Sequence, residues 1–194
     1  MTEPASHCDG RSGAGQAGVR VRVVGCGNPL AGDDSVGLEI VRRLRAKGET
    51  ECDLVVLPQP GVELLDALQG AEVVLFIDAV SSGAPPGTLH LTPLPSPALQ
   101  PRTLSALSGH AWGLPEMLGL TAALGRRAPR LVLLGIELAT VEPGTPRSKA
   151  VEGAVQTVVE KFSQLRAMLT EVNAGRWPSG RLFLPGDASF PGGQ

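Results

Sequence analysis

Two adjacent carboxylates, Asp33 and Asp34, open a helix-period segment directly behind the glycine-lined stretch Gly25-Cys26-Gly27-Asn28-Pro29-Leu30. A helix N-terminus gains from one acid, which accepts from its free N–H groups and opposes its dipole, so Asp33 reads as a cap. Asp34 is surplus to that need and becomes a candidate for chemistry. Asp78 closes an apolar run at 73–77, and His110 stands between a proline-rich stretch and another helix-period segment. Carboxylate oxygens with an imidazole nitrogen suit a divalent transition metal that keeps open positions. Plainer readings stand beside these: Asp78 as the cap of a turn with Ser81, Ser82 and Gly83, and His110 as an exposed loop histidine.

Other candidates are weaker. Cys26 lies between two glycines beneath a helix, where a small buried filler is expected rather than a nucleophile. His7 lies in a polar terminus and His90 alternates outward on an edge-type strand. Gly27 and Asn28 read as structural, letting the backbone turn tightly and holding the loop that presents Asp34. A dinucleotide fingerprint fails because its third glycine position is Leu30, and Gly-Lys-Ser/Thr is absent. Two acids at a helix start would also repel phosphate.

Positioning these groups requires a scaffold, and short apolar runs alternating with helix-period segments supply one. The pattern predicts an α/β fold: a single-domain three-layer sandwich with a mostly parallel, doubly wound sheet and helices on both faces. Strands are expected at 21–25, 54–57, 73–77 and 131–136, with a half-exposed edge strand at 88–91. Helices are expected from Val36 to about Lys47, from Val62 to Gly70, and at about 112–124 with Pro115 in the first turn. Val151, Val155, Val158, Phe162, Leu165 and Leu169 predict one long final helix. In such a sheet, residues past the carboxyl ends of parallel strands gather at a crevice where the strand order reverses, so Asp34 and Asp78 can face one cavity.

The 194 residues fit one domain, here 19–173, flanked by 1–18 and a Gly/Pro-rich segment at 174–194 expected to be loosely held. The net charge of −2 provides no basic field, which argues against nucleic acid and anionic membranes as partners. Three widely spaced cysteines fit neither a disulfide framework nor a thiolate zinc site and point to a reducing, cytoplasmic compartment. No run approaches the roughly 18 apolar residues of a membrane span.

Taken together, Val24 to Leu30 followed by Asp33-Asp34-Ser35-Val36-Gly37, Ile77-Asp78-Ala79-Val80, Ser108-Gly109-His110 with Gly113-Leu114, and Glu137 to Pro143 resemble the hydrogenase maturation proteases. The likeness spans roughly residues 21–169. It implies an endopeptidase that trims the C-terminal extension of a nickel-iron hydrogenase large-subunit precursor after nickel insertion. It further implies that Asp34, Asp78 and His110 contact a metal, namely nickel carried by the substrate, with no permanently bound cofactor. Asp34 and Asp78 then become the catalytic candidates, and Gln59 and Gly61 the substrate-binding ones. The segment from Gln59 to Glu63 departs from the Gly-Thr turn often found there, and Asp34 is Glu in some members. Two other readings use the same residues: a hydrolase holding its own metal, and an accessory protein that inspects the precursor without cutting it.

Overall fold

The computed structural model describes residues 19–58, 63–94, 119–121, 123–125 and 128–177. The chain runs β1 (Val21–Cys26), a 3-10 turn (Gly32–Ser35), α1 (Val36–Ala46), β2 (Asp53–Leu57), α2 (Glu63–Leu68), β3 (Val73–Val80), β4 (Leu89–Leu94), β5 (Arg130–Glu137), α3 (Lys149–Glu160) and α4 (Phe162–Asn173). These strands form one sheet in the order β2-β1-β3-β5-β4. β1, β2, β3 and β5 are parallel, and β4 returns antiparallel along β5 at the edge. Pro93, which has no N–H to donate, is tolerated in β4 because, among the described residues, that strand has a neighbour on one side only.

β3 is buried along its whole length, as a central strand covered on both faces must be. Its alternate residues feed two cores. Val73, Leu75, Ile77 and Ala79 join the larger cluster with the apolar stripes of α1, α3 and α4. Val74 and Phe76 join the smaller one with Leu64, Ala67 and Leu68 of α2, and Leu120, one of the described helical residues at 119–121, packs there too. Helices therefore lie on both faces, as the alternating pattern predicts.

Two elements differ from their sequence reading. β3 continues past Asp78, because Ala79 and Val80 still pair with Ile136 and Glu137 of β5. Asp78 is therefore an in-strand side chain projecting from the face of the smaller core. The single final helix is instead two, divided at Lys161, whose φ of −98° and ψ of 12° leave the helical region. α3 packs on α1 and β5, whereas α4 packs on β3 and β1. One straight rod cannot follow both directions, so tertiary packing overrides an uninterrupted apolar stripe. Past α4, Gly175 turns the chain with a φ of +82° and Trp177 packs against the larger core. Among the described residues no helix is long and apolar enough to cross a membrane.

Candidate active site

The chain leaves β1 for β2 on one side of the sheet and later returns to lay β3 on the other, which opens a crevice over the carboxyl ends of β1 and β3. The segment from Gly27 to Ser35 lies over that opening. Its closeness depends on missing side chains. A Cβ on Gly37, in the first turn of α1, would stand 2.1 Å from the carbonyl oxygen of Ile77 and 2.5 Å from that of Cys26, so only glycine lets α1 start against the sheet. Gly27, at φ +129°, would place a Cβ 1.8 Å from the Asp34 carbonyl oxygen and 3.7 Å from Asp78 Oδ1. The space between the two acids is thus kept open by a glycine.

Asp34 is half-buried, and its Oδ2 accepts from the Asn28 amide at 3.1 Å. Asn28 in turn accepts from the Leu30 amide through Oδ1 at 2.9 Å, closing the loop on itself. Burial pushes the Asp34 carboxyl above its ordinary range, opposed by the Asn28 amide. Asp78 is only 2% exposed. Among the described residues its carboxylate accepts only from the following amide, Ala79, at 2.9 Å. Burial holds it well above the usual carboxylate range, the charge of Asp34 adds to that, and the Ala79 amide works the other way. Burial and the charge of Asp34 therefore both favour the protonated form of Asp78, or a cation that relieves them.

Asp33 behaves differently from its reading as a helix cap. Ala31 stands at the N-cap of the 3-10 turn and Asp33 lies inside it, fully buried. Its carboxylate crosses to the segment after β5, accepting from Ala139 N at 2.9 Å, Thr140 N at 3.2 Å and Ser148 N at 2.6 Å. A second strap joins the same two segments: Arg147 donates to Ser35 Oγ at 2.9 Å and pairs with Glu152 at 3.1 Å.

The turn after β3 is capped by Glu137, not by Asp78. Glu137, 2% exposed, accepts from Ser82 N at 2.8 Å, Ser82 Oγ at 2.8 Å and Gly83 N at 2.9 Å, and faces His90 Nε2 at 3.2 Å. Burial alone would push it up, but the Ser82 and Gly83 donors and His90 bring it below the ordinary range. Like Asp78, Glu137 is an acid that follows an apolar run, but the turn it caps lies 54 to 55 residues earlier in the chain. His90 does lie on the edge strand, paired rather than free. Cys26 is the buried filler expected: burial first, then Asp78, holds its thiol well above its ordinary range.

His110, Gln59, Gly61 and His7 lie outside the described residues. The structure thus brings together Asp34 and Asp78 of the predicted set. Among the described residues alone no group of three His, Cys, Asp or Glu side chains is arranged to hold a metal.

With this geometry in place, comparison with known proteins is decisive. The sequence profile described as hydrogenase maturation protease matches residues 38–164. The chain belongs to the hydrogenase maturation protease family. The matched stretch contains Asp78 and His110 and begins just past Asp34. Among curated proteins, the hydrogenase expression/formation protein HupD of Thiocapsa roseopersicina is 32% identical over 121 residues, covering 60% of this chain and 53% of HupD. The chain matches about half the length of that relative. HoxM of Cupriavidus necator, also a hydrogenase expression/formation protein, is 30% identical over 150 residues, 75% of this chain and 73% of HoxM. Among solved structures, the [NiFe] hydrogenase maturation protease HybD from Thermococcus kodakarensis superposes with a TM-score of 0.54 at 25% identity, covering 76% of this chain and 99% of HybD. Family and fold thus agree with the doubly wound sheet.

Proposed function

We propose that this chain is an endopeptidase that removes the C-terminal extension of a nickel-iron hydrogenase large-subunit precursor after nickel has been inserted. The observation that carries the reading is the carboxylate pair, Asp34 half-buried and Asp78 nearly fully so, each held above its ordinary range at the switch-point crevice. A substrate that arrives carrying its own divalent ion would find there two oxygen donors whose mutual repulsion the ion removes. His110, on the stretch that the family profile covers, is the nitrogen donor of the reading. Cutting is then gated by metallation, because a nickel-free precursor lacks the anchor that fixes its scissile bond over the crevice. With the bond so fixed, Asp34 or Asp78 takes the proton of the attacking water. Cys26 contributes no nucleophile, since burial keeps its thiol protonated. The partner is the precursor itself and the compartment the cytoplasm, where Cys26 and Cys52 stay free.

The deciding experiment incubates the purified chain with nickel-loaded and nickel-free precursor and reads the precursor mass. Loss of the C-terminal extension from the loaded form only is the expected result. Asp34→Asn, Asp78→Asn and His110→Ala should each fold and leave the precursor uncut; full processing by all three removes the assigned site. An unchanged mass with the native chain would favour the inspecting accessory protein, and about one metal ion per chain purified without added metal would favour a resident-metal hydrolase.

A further inference from the structure

Among the described residues three large hydrophobic side chains are exposed, and two of them, Leu30 at 73% and Val141 at 51%, stand on adjoining segments beside the carboxylate pair. Leu30 is four residues before Asp34, within successive turns closed by Ala31 N to Asn28 O at 3.2 Å and Asp34 N to Ala31 O at 2.9 Å. Val141 lies in the segment that Asp33 grips through the amides of Ala139, Thr140 and Ser148. The two segments also meet directly, Gly144 N donating to Leu30 O at 2.7 Å, and a Cβ on Gly32 would stand 2.8 Å from Thr145 Oγ1.

A single exposed leucine needs no explanation, but this arrangement differs in being built. The buried Asp33 carboxylate, the Gly144–Leu30 bond and the Arg147–Ser35 bond hold both segments in one geometry while leaving Leu30 and Val141 in water. Rigid apolar groups held outward are what a binding rim requires, because the ordering cost is met before the partner arrives. The rim is continuous with the turn that carries Asp34: the Leu30 amide donates to Asn28 Oδ1, and the Asn28 amide donates to the Asp34 carboxylate.

We infer that Leu30 and Val141 form a preformed docking rim for an apolar, extended segment of the precursor adjoining its scissile bond. This rests on the proteolytic reading above and adds to it where, and through what chemistry, the substrate is gripped. The rim recognises polypeptide, independently of the metal ligands. Leu30 and Val141 touch no reacting atoms, so they govern KM and leave kcat alone.

The test uses the full chain, nickel-loaded precursor, and the Leu30→Ser, Val141→Ser double substitution, with Leu30→Met, Val141→Ile as the conservative counterpart. Withdrawing two side chains from an apolar contact should raise KM at least about tenfold. kcat and the thermal midpoint should stay at the native values, and the conservative pair should restore most of the affinity. Unchanged KM in the serine double variant, with the native chain cutting normally, overturns the rim and spares the protease. If the native chain does not cut, binding to immobilised nickel-loaded precursor decides: weaker capture by the serine variant keeps the rim while the protease reading falls. Equal capture overturns the rim, and no capture by the native chain overturns both. Concentration-dependent dimers that the serine substitutions dissolve would assign the surface to a second copy and overturn the inference.

Discussion

Replacing Asp33 by Ala separates two accounts of the acidic pair through the size of the loss. If Asp33 served only as a helix cap, its removal would cost about 1 kcal/mol. In the structure it is the shared acceptor of three amides from a segment more than a hundred residues away, at 2.9, 3.2 and 2.6 Å. Bonds to a charged acceptor contribute about 1.5–3 kcal/mol each. The 3.2 Å bond is the weakest, and the released amides lie near enough to the surface to regain water, so the three should not add in full. The expected loss is therefore about 3–4 kcal/mol, a large share of the roughly 5–15 kcal/mol available to a domain. Asp33→Asn should fall between, because its amide nitrogen must face at least one of the same donors. Urea unfolding supplies the free energy, and hydrogen exchange supplies the location: the amides of Ala139, Thr140 and Ser148 should lose protection selectively. A loss of about 1 kcal/mol or less, with those amides still protected, would refute the clamp.

Glu137→Gln should destabilise the protein by about 2 kcal/mol at pH 7, since it weakens charge-assisted bonds to Ser82 and Gly83. Because the fold lowers the Glu137 pKa, that stabilisation is present above the unfolded value near 4.3 and is lost as pH falls through the folded one, so native and variant curves should converge in acid. Asp78 runs the opposite way: its raised pKa makes stability fall as pH rises from about 3.9 toward the folded value, and Asp78→Asn should flatten that decline in thermal melts even as it abolishes cleavage. Gly27→Ala should cost about 3 kcal/mol or more, read by urea midpoint, because φ +129° and a 1.8 Å approach to Asp34 O leave no room for a methyl. Iodoacetamide at pH 8 should label neither Cys26, deeply buried, nor Cys52, pushed up to about 12 by burial and neighbouring acids, until urea is added.

The strands were legible because each is a short apolar run bounded by turn residues, and their ends shifted by one to three residues in the structure. Asp34 and Asp78 stood out as acids following apolar runs, and the structure places Asp34 on the 3-10 turn after β1 and Asp78 within β3. What failed did so for one reason. The division of the last helix at Lys161 has no proline or glycine to announce it, and arises because α3 and α4 lie on different strands. The capping of the turn after β3 by Glu137 depends on a neighbour 55 residues away, which no local pattern encodes.

By itself, the sequence determined the alternation of strand and helix, the glycines that let chain segments touch, and the acids that follow the apolar runs of β1 and β3. These are properties of single residues and their near spacing, and physical chemistry constrains them locally. Only the tertiary structure decided what each acid does. Asp33 and Asp34 are chemically identical neighbours, yet one is sealed among the amides of a distant loop while the other opens on the crevice with Asp78. That division follows from which segments the fold lays against the turn, and burial, charge and hydrogen bonding act on a carboxylate through its surroundings in space.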